Sequence, residues 1–277
     1  MGDPLVALNG FIYWESFRPC LNVVYDKPRK SNAGAKPIDV LLMFKILVLQ
    51  QLNNLSDDRI EYQIRDRLSF MRFLGLQIES RVPDAKTIWL FRERLKELNL
   101  VEELFERFHE QLAAQGYVAK AGQMIDATFV EAPRQRNNRD ENSTIKSGEI
   151  PQEWYKTPNK LRQKDTDARW TKKHQQKHYG YKNHINADQT NKLVQNFVVS
   201  NAAVHDSQVF EELLDQSIAL DGKKRPIYAD SAYRSKDQEE SLAGNGFESQ
   251  INEKGARNHP LNDEQKASNR IKGTSKN

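Results

Sequence analysis

The stretch "GQMIDATFVEA" at residues 122–132 is the point where the periodicity of the chain changes. Within it, apolar residues occupy every second position around Asp126, and an alternation of period two predicts a β-strand. The residues before this stretch follow a helical period, whereas the residues after it predict strands and helices in turn. The strand therefore separates two predicted domains, 1–118 and 119–277.

The residues before this strand have the pattern of a helical domain. The segment "PIDVLLMFKILVLQQL" (37–52) is apolar on nearly every face, which predicts a helix at the centre of a helical cluster. Ser56 and Asp84 are predicted N-caps of two further helices. The segment 101–117 has apolar residues at helical spacing, and Gly116 ends it. Domains of this kind bind DNA or serve as packing modules, and no recognition helix stands out.

The residues after Gly122 predict a mixed sheet. Four further strands are expected at 178–188, 192–200, 225–230 and 247–252. Two helices are expected at 205–220 and 235–246. Strands in tandem form an antiparallel meander, whereas βαβ units require parallel pairing. The order therefore predicts a mixed α+β or α/β sheet with helices on its faces.

The chain is strongly basic in one region only. Its net charge is +4, from 42 Lys or Arg and 38 Asp or Glu. Residues 134–182 alone hold 13 basic and 6 acidic residues, and they include a long polar insertion at 133–178. A basic region in a near-neutral chain indicates a polyanionic partner, most simply nucleic acid. The alternative is a solvated, partly disordered insertion.

The composition also limits the compartment. Cys20 is the only cysteine, so an internal disulfide is excluded and a reducing cytoplasm is the expected location. The start of the chain has no signal-peptide pattern. The most apolar segment is shorter than the about 20 residues that span a bilayer, so no membrane partner is expected.

Two aspartates lie on predicted strands. Asp126 is in the middle of the first strand, and Asp230 ends the strand "RPIYAD". Charged groups on short buried strands are costly unless they are paired or bind a metal, and oxygen ligands suit Mg²⁺ or Mn²⁺. The two aspartates are therefore candidates for a cation site that attacks phosphodiesters. The alternative is that a lysine pairs with Asp126 and that Asp230 caps the helix that begins near residue 235.

Five segments together resemble the bacterial insertion-sequence DDE transposases, in the IS-five branch of the IS-four superfamily. They are "MIDATFVEAP", the basic insertion, "HYGYKNHINAD", "AVHDSQVFEELLD" and "IYADSAYRS". The upstream helices resemble the N-terminal domain of the same group, so the resemblance covers nearly the whole chain. It implies an RNase H-like catalytic domain behind a helical, DNA-binding N-terminal domain.

The resemblance also implies a function. A member of this family is a cut-and-paste transposase, which binds the ends of an insertion sequence, cleaves them with Mg²⁺ or Mn²⁺ and joins them to target DNA. Asp126 and Asp230 match the first and second catalytic, metal-binding aspartates, in a site that holds two ions in a complete member. Double-stranded DNA is the expected partner, a homodimer is left open, and the bacterial cytoplasm at the nucleoid is the expected location.

Basic and aromatic residues predict DNA contacts. The candidates are Lys172, Lys173, Lys177, Lys182, Tyr233 and Arg234. The last two follow Asp230, and the resemblance therefore places them near the DNA backbone. In the insertion, aromatic residues among the cations provide the mix that grips phosphates and stacks bases. These aromatic residues are Trp154, Tyr155, Trp170, Tyr179 and Tyr181.

The family has a third carboxylate, a glutamate on a helix after the last strand, and this sequence has no matching context for it. Glu264 has a suitable spacing from Asp230 but not the surroundings, and Glu248 and Glu253 lie too near the last strand. The hypothesis is that the chain is truncated before this glutamate. A chain that lacks the ligand is expected to be crippled in catalysis, with one sheet face poorly covered.

Three other functions stay open. A non-catalytic, inhibitory fragment would bind the element ends without cleaving them. A stand-alone nuclease would use the same fold, although the N-terminal helices argue against it. A zinc module would use His174, His178 and His184, of which the first two are four residues apart and would share one face of a helix. No thiolates accompany these histidines.

Overall fold

A computed structural model of the chain describes residues 2–26, 36–119, 122–135, 137–173, 175–216, 225–255 and 259–274. Tertiary contacts divide the chain into two compact units, Met1–Val118 and Ala119–Asn277. The first, the helical unit, consists of helices, and the second, the sheet unit, contains a mixed sheet.

The helical unit is built around one apolar helix. Its α-helices are α1 (Pro4–Phe11), α2 (Arg18–Asn22), α3 (Val40–Leu52), α4 (Asp57–Asp66), α5 (Leu68–Leu74), α6 (Ala85–Glu97) and α7 (Leu100–Ala114). Met43, Ile46 and Leu49 of α3 are completely buried, which confirms α3 as the central helix. The side chains of Ser56 and Asp84 accept hydrogen bonds from backbone N–H groups three residues further on, so both predicted N-caps are confirmed. Among the described residues, no helix has the length and apolarity needed to cross a membrane.

The sheet unit contains the predicted mixed sheet. Its strands are β1 (Gln123–Glu131), β2 (Arg169–Lys173), β3 (Gln176–Asp188), β4 (Val194–Asn201), β5 (Arg225–Tyr228) and β6 (Phe247–Ser249). The long strand β3 pairs antiparallel with β1 on one side, and with β2 and then β4 on the other. β1 pairs parallel with β5, and β5 pairs parallel with β6. The order β4-β3-β1-β5-β6, first antiparallel and then parallel, is that of an RNase H-like sheet.

Gly180 lies where β3 passes from its pairing with β2 to its pairing with β4. The φ angle of Gly180 is +144°, and a Cβ at this position would lie 2.2 Å from the carbonyl oxygen of Val130. Glycine alone avoids this clash, because it has no Cβ and tolerates positive φ. The close approach of the two backbones keeps β3 continuous, so that residues 180–188 of β3 pair with all of β1.

One face of the sheet is buried against two helices, α11 (Phe210–Leu213) and α12 (Lys236–Gly244). The apolar core on this face includes Ile125, Phe210, Leu213, Ile227, Tyr233, Leu242 and Phe247. On the opposite face of β1, Asp126, Thr128 and Val130 are exposed. β1 therefore carries its predicted ligand on the open side of the sheet.

The insertion is folded where the structure describes it, which argues against the alternative of a solvated, partly disordered insertion. It contains α8 (Arg139–Lys146), α9 (Gln152–Tyr155) and α10 (Pro158–Arg162). Trp154 is completely buried, and its Nε1 donates a hydrogen bond of 2.8 Å to the Oε1 of Glu141. Lys160, which donates to the same oxygen, is the main cause that lowers the pKa of Glu141 to about 2. Helices this short have too few turns to show a helical period in the sequence.

Three predicted elements are shorter than expected, and the first is the strand predicted at 225–230, which ends at Tyr228, two residues before Asp230. The helix predicted at 205–220 is a 3₁₀ turn, Asp206–Val209, followed by α11, and residues 217–220 lie outside the described residues. It ends early because Leu214 adopts an extended backbone. The strand predicted at 247–252 ends at Ser249. Beyond it, the backbone N–H groups of Gln250 and Asn252 still donate hydrogen bonds to the carbonyl oxygens of Ile227 and Ala229.

Replacing Trp154 by alanine should destabilise the insertion by about 3–5 kcal/mol, because the change removes a fully buried indole and leaves a cavity. The neighbouring Tyr155 is 59% exposed, so Tyr155→Ala should change the free energy of unfolding by about 0.5 kcal/mol or less. Hydrogen exchange of the backbone amides of α8 and α9 measures both effects. Equal protection of these amides in the two variants would contradict a buried, structural role for Trp154.

Candidate active site

Asp126 lies on β1, and Asp230 lies two residues past the end of the adjacent parallel strand β5. The last pair of the β1–β5 ladder is Met124 opposite Tyr228. Continued by two residues past this pair, the same register would align Asp126 with Asp230. The charges of both aspartates also raise the pKa of Tyr233, so both carboxylates lie near this residue.

Asp126 is oriented by its own strand. It is exposed, and the residues on either side of it, Ile125 and Ala127, face the core. The Oδ1 of Asp126 accepts a hydrogen bond of 2.8 Å from the backbone N–H of Ala127. The alternative of a lysine partner is not seen, since no ion pair within the described residues includes Asp126.

Asp230 is oriented by the turn that follows β5. It is the N-cap of a 3₁₀ turn, Ser231–Tyr233, and its Oδ1 accepts a hydrogen bond of 2.7 Å from the N–H of Ala232. The alternative that Asp230 caps the next helix is wrong, because the N-cap of α12 is Ser235. In both aspartates, a nearby backbone N–H therefore fixes the carboxylate through one of its oxygens.

The two carboxylates fit a hard divalent cation. Mg²⁺ and Mn²⁺ prefer oxygen ligands, and protein Mg²⁺ sites commonly use one or two carboxylates together with water and substrate phosphates. Two aspartates side by side also repel each other, and a cation between them would remove this cost. Within the described residues, no group of three or more His, Cys, Asp and Glu side chains could hold a metal ion. The fit therefore rests on Asp126 and Asp230.

The glutamates considered as a third ligand have other surroundings. Glu264 is exposed in the first turn of α13 (Asp263–Thr274). Glu253 lies 2.8 Å from the Nη1 of Arg234 in an ion pair. Glu248 accepts a hydrogen bond of 2.7 Å from the side-chain amide of Gln250. These contacts explain the positions of Glu253 and Glu248 without a metal.

Tyr233 is completely buried, so the prediction that it contacts DNA is wrong. Its hydroxyl oxygen lies 3.3 Å from the Nδ1 of His184, and the Nε2 of His184 lies 2.9 Å from the Oγ of Ser200. Burial raises the pKa of Tyr233, and the charges of Asp206 and of the two site aspartates raise it further. Tyr233 is therefore a neutral group close to both site aspartates.

Lys182 is also buried, so its predicted contact with DNA is wrong as well. Its Nζ donates hydrogen bonds of 2.7 Å to the Oδ1 of Asp206 and to the carbonyl oxygen of Val204. The side chains of Lys182 and Asp206 are only 11% and 12% exposed. This ion pair joins β3 to the turn that precedes α11, and it leaves no free ammonium for a phosphate.

Arg234 is held by acidic neighbours. Its guanidinium lies 3.3 Å from a carboxylate oxygen of Glu239 and 2.8 Å from one of Glu253. Its Nη1 also donates a hydrogen bond of 3.1 Å to the carbonyl oxygen of Ile251. Arg234 therefore joins α12 to the segment after β6, and its position near the DNA backbone stays a prediction.

Exposed cations and one aromatic ring meet at the β2–β3 hairpin. Lys172, Lys173 and Lys177 are exposed, and Lys172 lies directly opposite Lys177 across the ladder. Like charges in such a pair destabilise the strands, and a bound anion would offset the repulsion between the two ammonium groups. Nearby, Trp170 is 50% exposed, with the guanidinium of Arg134 5.4 Å from its ring centroid. These five residues are called the hairpin surface below.

Most of the other predicted base-stacking residues have structural roles. Trp154 and Tyr179 are buried. The hydroxyl of Tyr181 donates a hydrogen bond of 2.7 Å to the Oδ1 of Asp165. Of the five aromatic residues predicted to face DNA, Tyr155 and Trp170 are the exposed ones.

His178 and His184, the two described residues of the predicted zinc site, both lie on β3. His178 stacks on Phe129 with 4.3 Å between ring centroids, and both ring nitrogens of His184 face hydroxyl groups. The third residue of the predicted zinc site, His174, lies outside the described residues. The zinc reading therefore has no support from His178 and His184.

The burial of three polar residues of β3 was not recognised from the sequence. Lys182, His184 and Asn186 are 9%, 0% and 0% exposed, and they alternate along the strand. Alternation of polar and apolar residues is usual for a strand with one solvated face. Here the polar side faces inward, where each side chain forms hydrogen bonds. The alternation is visible in the sequence, but which of the two faces of the strand points into the core depends on the tertiary structure.

Comparison with known proteins identifies two matching family models. The model described as "Transposase DDE domain" matches residues 119–275, and the model described as "Transposase domain (DUF772)" matches residues 1–94. Among solved structures, the chain is similar to the cryo-EM structure of the piggyBac transposase synaptic complex with hairpin DNA, with a TM-score of 0.42 and 17% identity. The match covers 94% of this chain and 53% of that chain, so this chain spans about half the length of that protein. A TM-score this low supports no conclusion about function.

Replacing Lys182 by methionine should lower the free energy of unfolding of the sheet unit by about 3–5 kcal/mol, because it leaves Asp206 buried without its partner. Lys177→Met is the matched control, since Lys177 is exposed on the same strand and should cost about 0.5 kcal/mol or less. Urea unfolding of both variants measures the difference. A loss in Lys182→Met as small as that in Lys177→Met would restore Lys182 as a surface cation.

Proposed function

The chain belongs to the family of DDE transposases, and from this membership we propose that it binds the ends of an insertion sequence, cleaves them and joins them to target DNA. The observation that supports this function is the parallel pairing of β1 with β5, whose register, continued past Met124 and Tyr228, would align Asp126 with Asp230. These two residues are the proposed catalytic carboxylates. Because transposition acts on two element ends, a homodimer with one catalytic site for each end is part of the proposal.

Asp126 and Asp230 would hold Mg²⁺ or Mn²⁺, two ions when the site is complete, and these ions would activate the attacking oxygen and stabilise the leaving oxygen of a phosphodiester. The chain itself orients the two carboxylates. The N–H groups of Ala127 and Ala232 each hold one carboxylate oxygen, which leaves the second oxygen of each aspartate for a ligand. Neutral Tyr233 adds no negative charge beneath them.

The hairpin surface is the proposed DNA contact of the sheet unit. Lys172, Lys173 and Lys177 provide positive charge for backbone phosphates, and the facing pair of lysines is relieved when an anion binds. The half-exposed ring of Trp170 offers a surface on which an unpaired base can stack. The lysines are exposed without an acidic partner among the described ion pairs, in contrast to Lys182 and Arg234.

Asp126→Asn and Asp230→Asn should each reduce Mg²⁺-dependent cleavage of element-end DNA by more than about 100-fold. Loss of an outer-shell partner already lowers metal affinity or activity by about 10- to 100-fold, and loss of a metal ligand should lower it further. Asp237→Asn is the matched control. Asp237 is exposed on α12, so this variant should cleave end DNA at the rate of the parent chain. A gel assay on labelled end DNA measures the rate. Full activity of Asp126→Asn or Asp230→Asn would remove that residue from the site. End-specific binding by the parent chain without any metal-dependent cleavage would favour the non-catalytic, DNA-binding alternative.

The double variant Lys172→Ala/Lys177→Ala should bind DNA with a weaker salt dependence. Each phosphate contact contributes about 0.9 to the slope of log K against log salt, so the slope should become less steep by about 1.8. Lys236→Ala is the control, because Lys236 is 88% exposed on α12 and lies outside the hairpin surface. Fluorescence anisotropy between about 50 and 200 mM salt measures the slopes. An unchanged slope in the double variant would exclude the hairpin surface as a phosphate contact.

A further inference from the structure

A chain of buried polar side chains lies beneath Asp230, and the proposed chemistry does not use it directly. Tyr233 and His184 are completely buried. The hydroxyl oxygen of Tyr233 lies 3.3 Å from the Nδ1 of His184, and the Nε2 of His184 lies 2.9 Å from the Oγ of Ser200. Burying a polar group costs free energy unless it forms hydrogen bonds. Three linked polar side chains at this place are therefore expected to have a role.

The direction of these hydrogen bonds follows from the last partner in the chain. The hydroxyl of Ser200 donates to the carbonyl oxygen of Asn201 over 3.3 Å, so its Oγ is available to accept from the Nε2–H of His184. The Nδ1 of a neutral imidazole with a proton on Nε2 is an acceptor, and it accepts the hydroxyl proton of Tyr233. Burial lowers the pKa of His184 and raises that of Tyr233, which agrees with both groups being neutral.

This hydrogen-bonded pair crosses the strand that carries Asp126. His184 belongs to β3 and Tyr233 follows β5, and β1 lies between these two strands in the sheet. The residue of β1 opposite His184 is Ala127, which packs against the same core. The small side chain of Ala127 leaves room for the imidazole and the phenol to meet above β1. A larger residue beside Asp126 would keep them apart.

Backbone hydrogen bonds connect Tyr233 to Asp230 within one turn. The N–H of Tyr233 donates to the carbonyl oxygen of Asp230 over 3.2 Å, and the N–H of Ala232 donates to the Oδ1 of Asp230 over 2.7 Å. The backbone of this turn and the carboxylate of Asp230 therefore move together with the anchored ring. His184, held in turn by Ser200, is the anchor of the ring's polar end.

We infer that Tyr233 and His184 are positioning residues, which hold the carboxylate of Asp230 in register with Asp126 so that both can bind one divalent cation. The inference rests on the proposed function for the metal site. In this role Tyr233 acts on the metal site through the position of Asp230, and it does not contact DNA. Neither residue touches the reacting atoms.

Binding of Mn²⁺ alone to the full chain, measured by calorimetry, tests the inference without any activity assay. Tyr233→Phe keeps the ring but removes the hydroxyl, and it should weaken Mn²⁺ binding about 10-fold or more, as loss of an outer-shell partner does. His184→Leu should weaken binding to a similar degree. His184→Asn should restore most of the affinity, because its side-chain oxygen can accept the hydroxyl proton of Tyr233 at the place of Nδ1. Tyr25→Phe, the same chemical change in the helical unit, should leave binding unchanged.

The ¹⁵N signals of the His184 ring provide a second, independent readout. In the parent chain they should show a proton on Nε2, and in Tyr233→Phe the Nδ1 signal should move toward that of an acceptor without a donor. Thermal unfolding shows which variants are folded, and if Tyr233→Phe is unfolded, the comparison of His184→Leu with His184→Asn decides instead.

The variant Asp230→Asn separates the inference from the proposed function. If Asp230→Asn loses Mn²⁺ binding while folded Tyr233→Phe and His184→Leu bind within about twofold of the parent chain, the positioning role is overturned and the metal site stands. If Asp230→Asn binds Mn²⁺ like the parent chain, the metal site and the positioning role are both overturned. Loss in Tyr233→Phe and His184→Leu with rescue by His184→Asn supports the role.

Discussion

The parallel pairing of β1 with β5 is the constraint on which the site depends. This pairing sets β1 beside β5, although the insertion, β3 and β4 separate the two strands in the sequence. A shift of the register by one residue would place Asp126 beside a residue whose side chain faces the core. The apolar core under these strands, with Ile125 and Ile227 almost completely buried, penalises such a shift, so the packing of one sheet face sets the geometry of the other.

Polar residues inside the sheet unit support the same register. The Lys182–Asp206 ion pair and the contact of His184 with Tyr233 each join β3 to a segment that lies after it in the chain. Interactions of this kind contribute little net stability compared with apolar packing, but a break in one of them is costly. They therefore favour one arrangement of the strands over its near alternatives. In this chain the favoured arrangement includes the parallel pairing of β1 with β5.

Much of the architecture could be predicted from the sequence. The period-two pattern around Asp126 and the N-caps Ser56 and Asp84 are local signals, and the structure has the strand and both caps. The fold of the insertion could not be predicted, since its helices are shorter than the window in which a period is visible. The roles of Lys182 and Tyr233 could not be predicted either, because charge and aromatic character do not reveal burial. Whether a lysine faces a phosphate or a buried carboxylate is decided by contacts between residues distant in sequence.

Asp126 and Asp230 are proposed to form one divalent-cation site on the exposed face of β1. Crystals of the chain soaked in Mn²⁺, with data collected at a wavelength where manganese scatters anomalously, test this proposal. An anomalous peak is expected in contact with one carboxylate oxygen of each aspartate. A saturating soak that gives no peak between these two residues, or a peak held by other side chains alone, would contradict it.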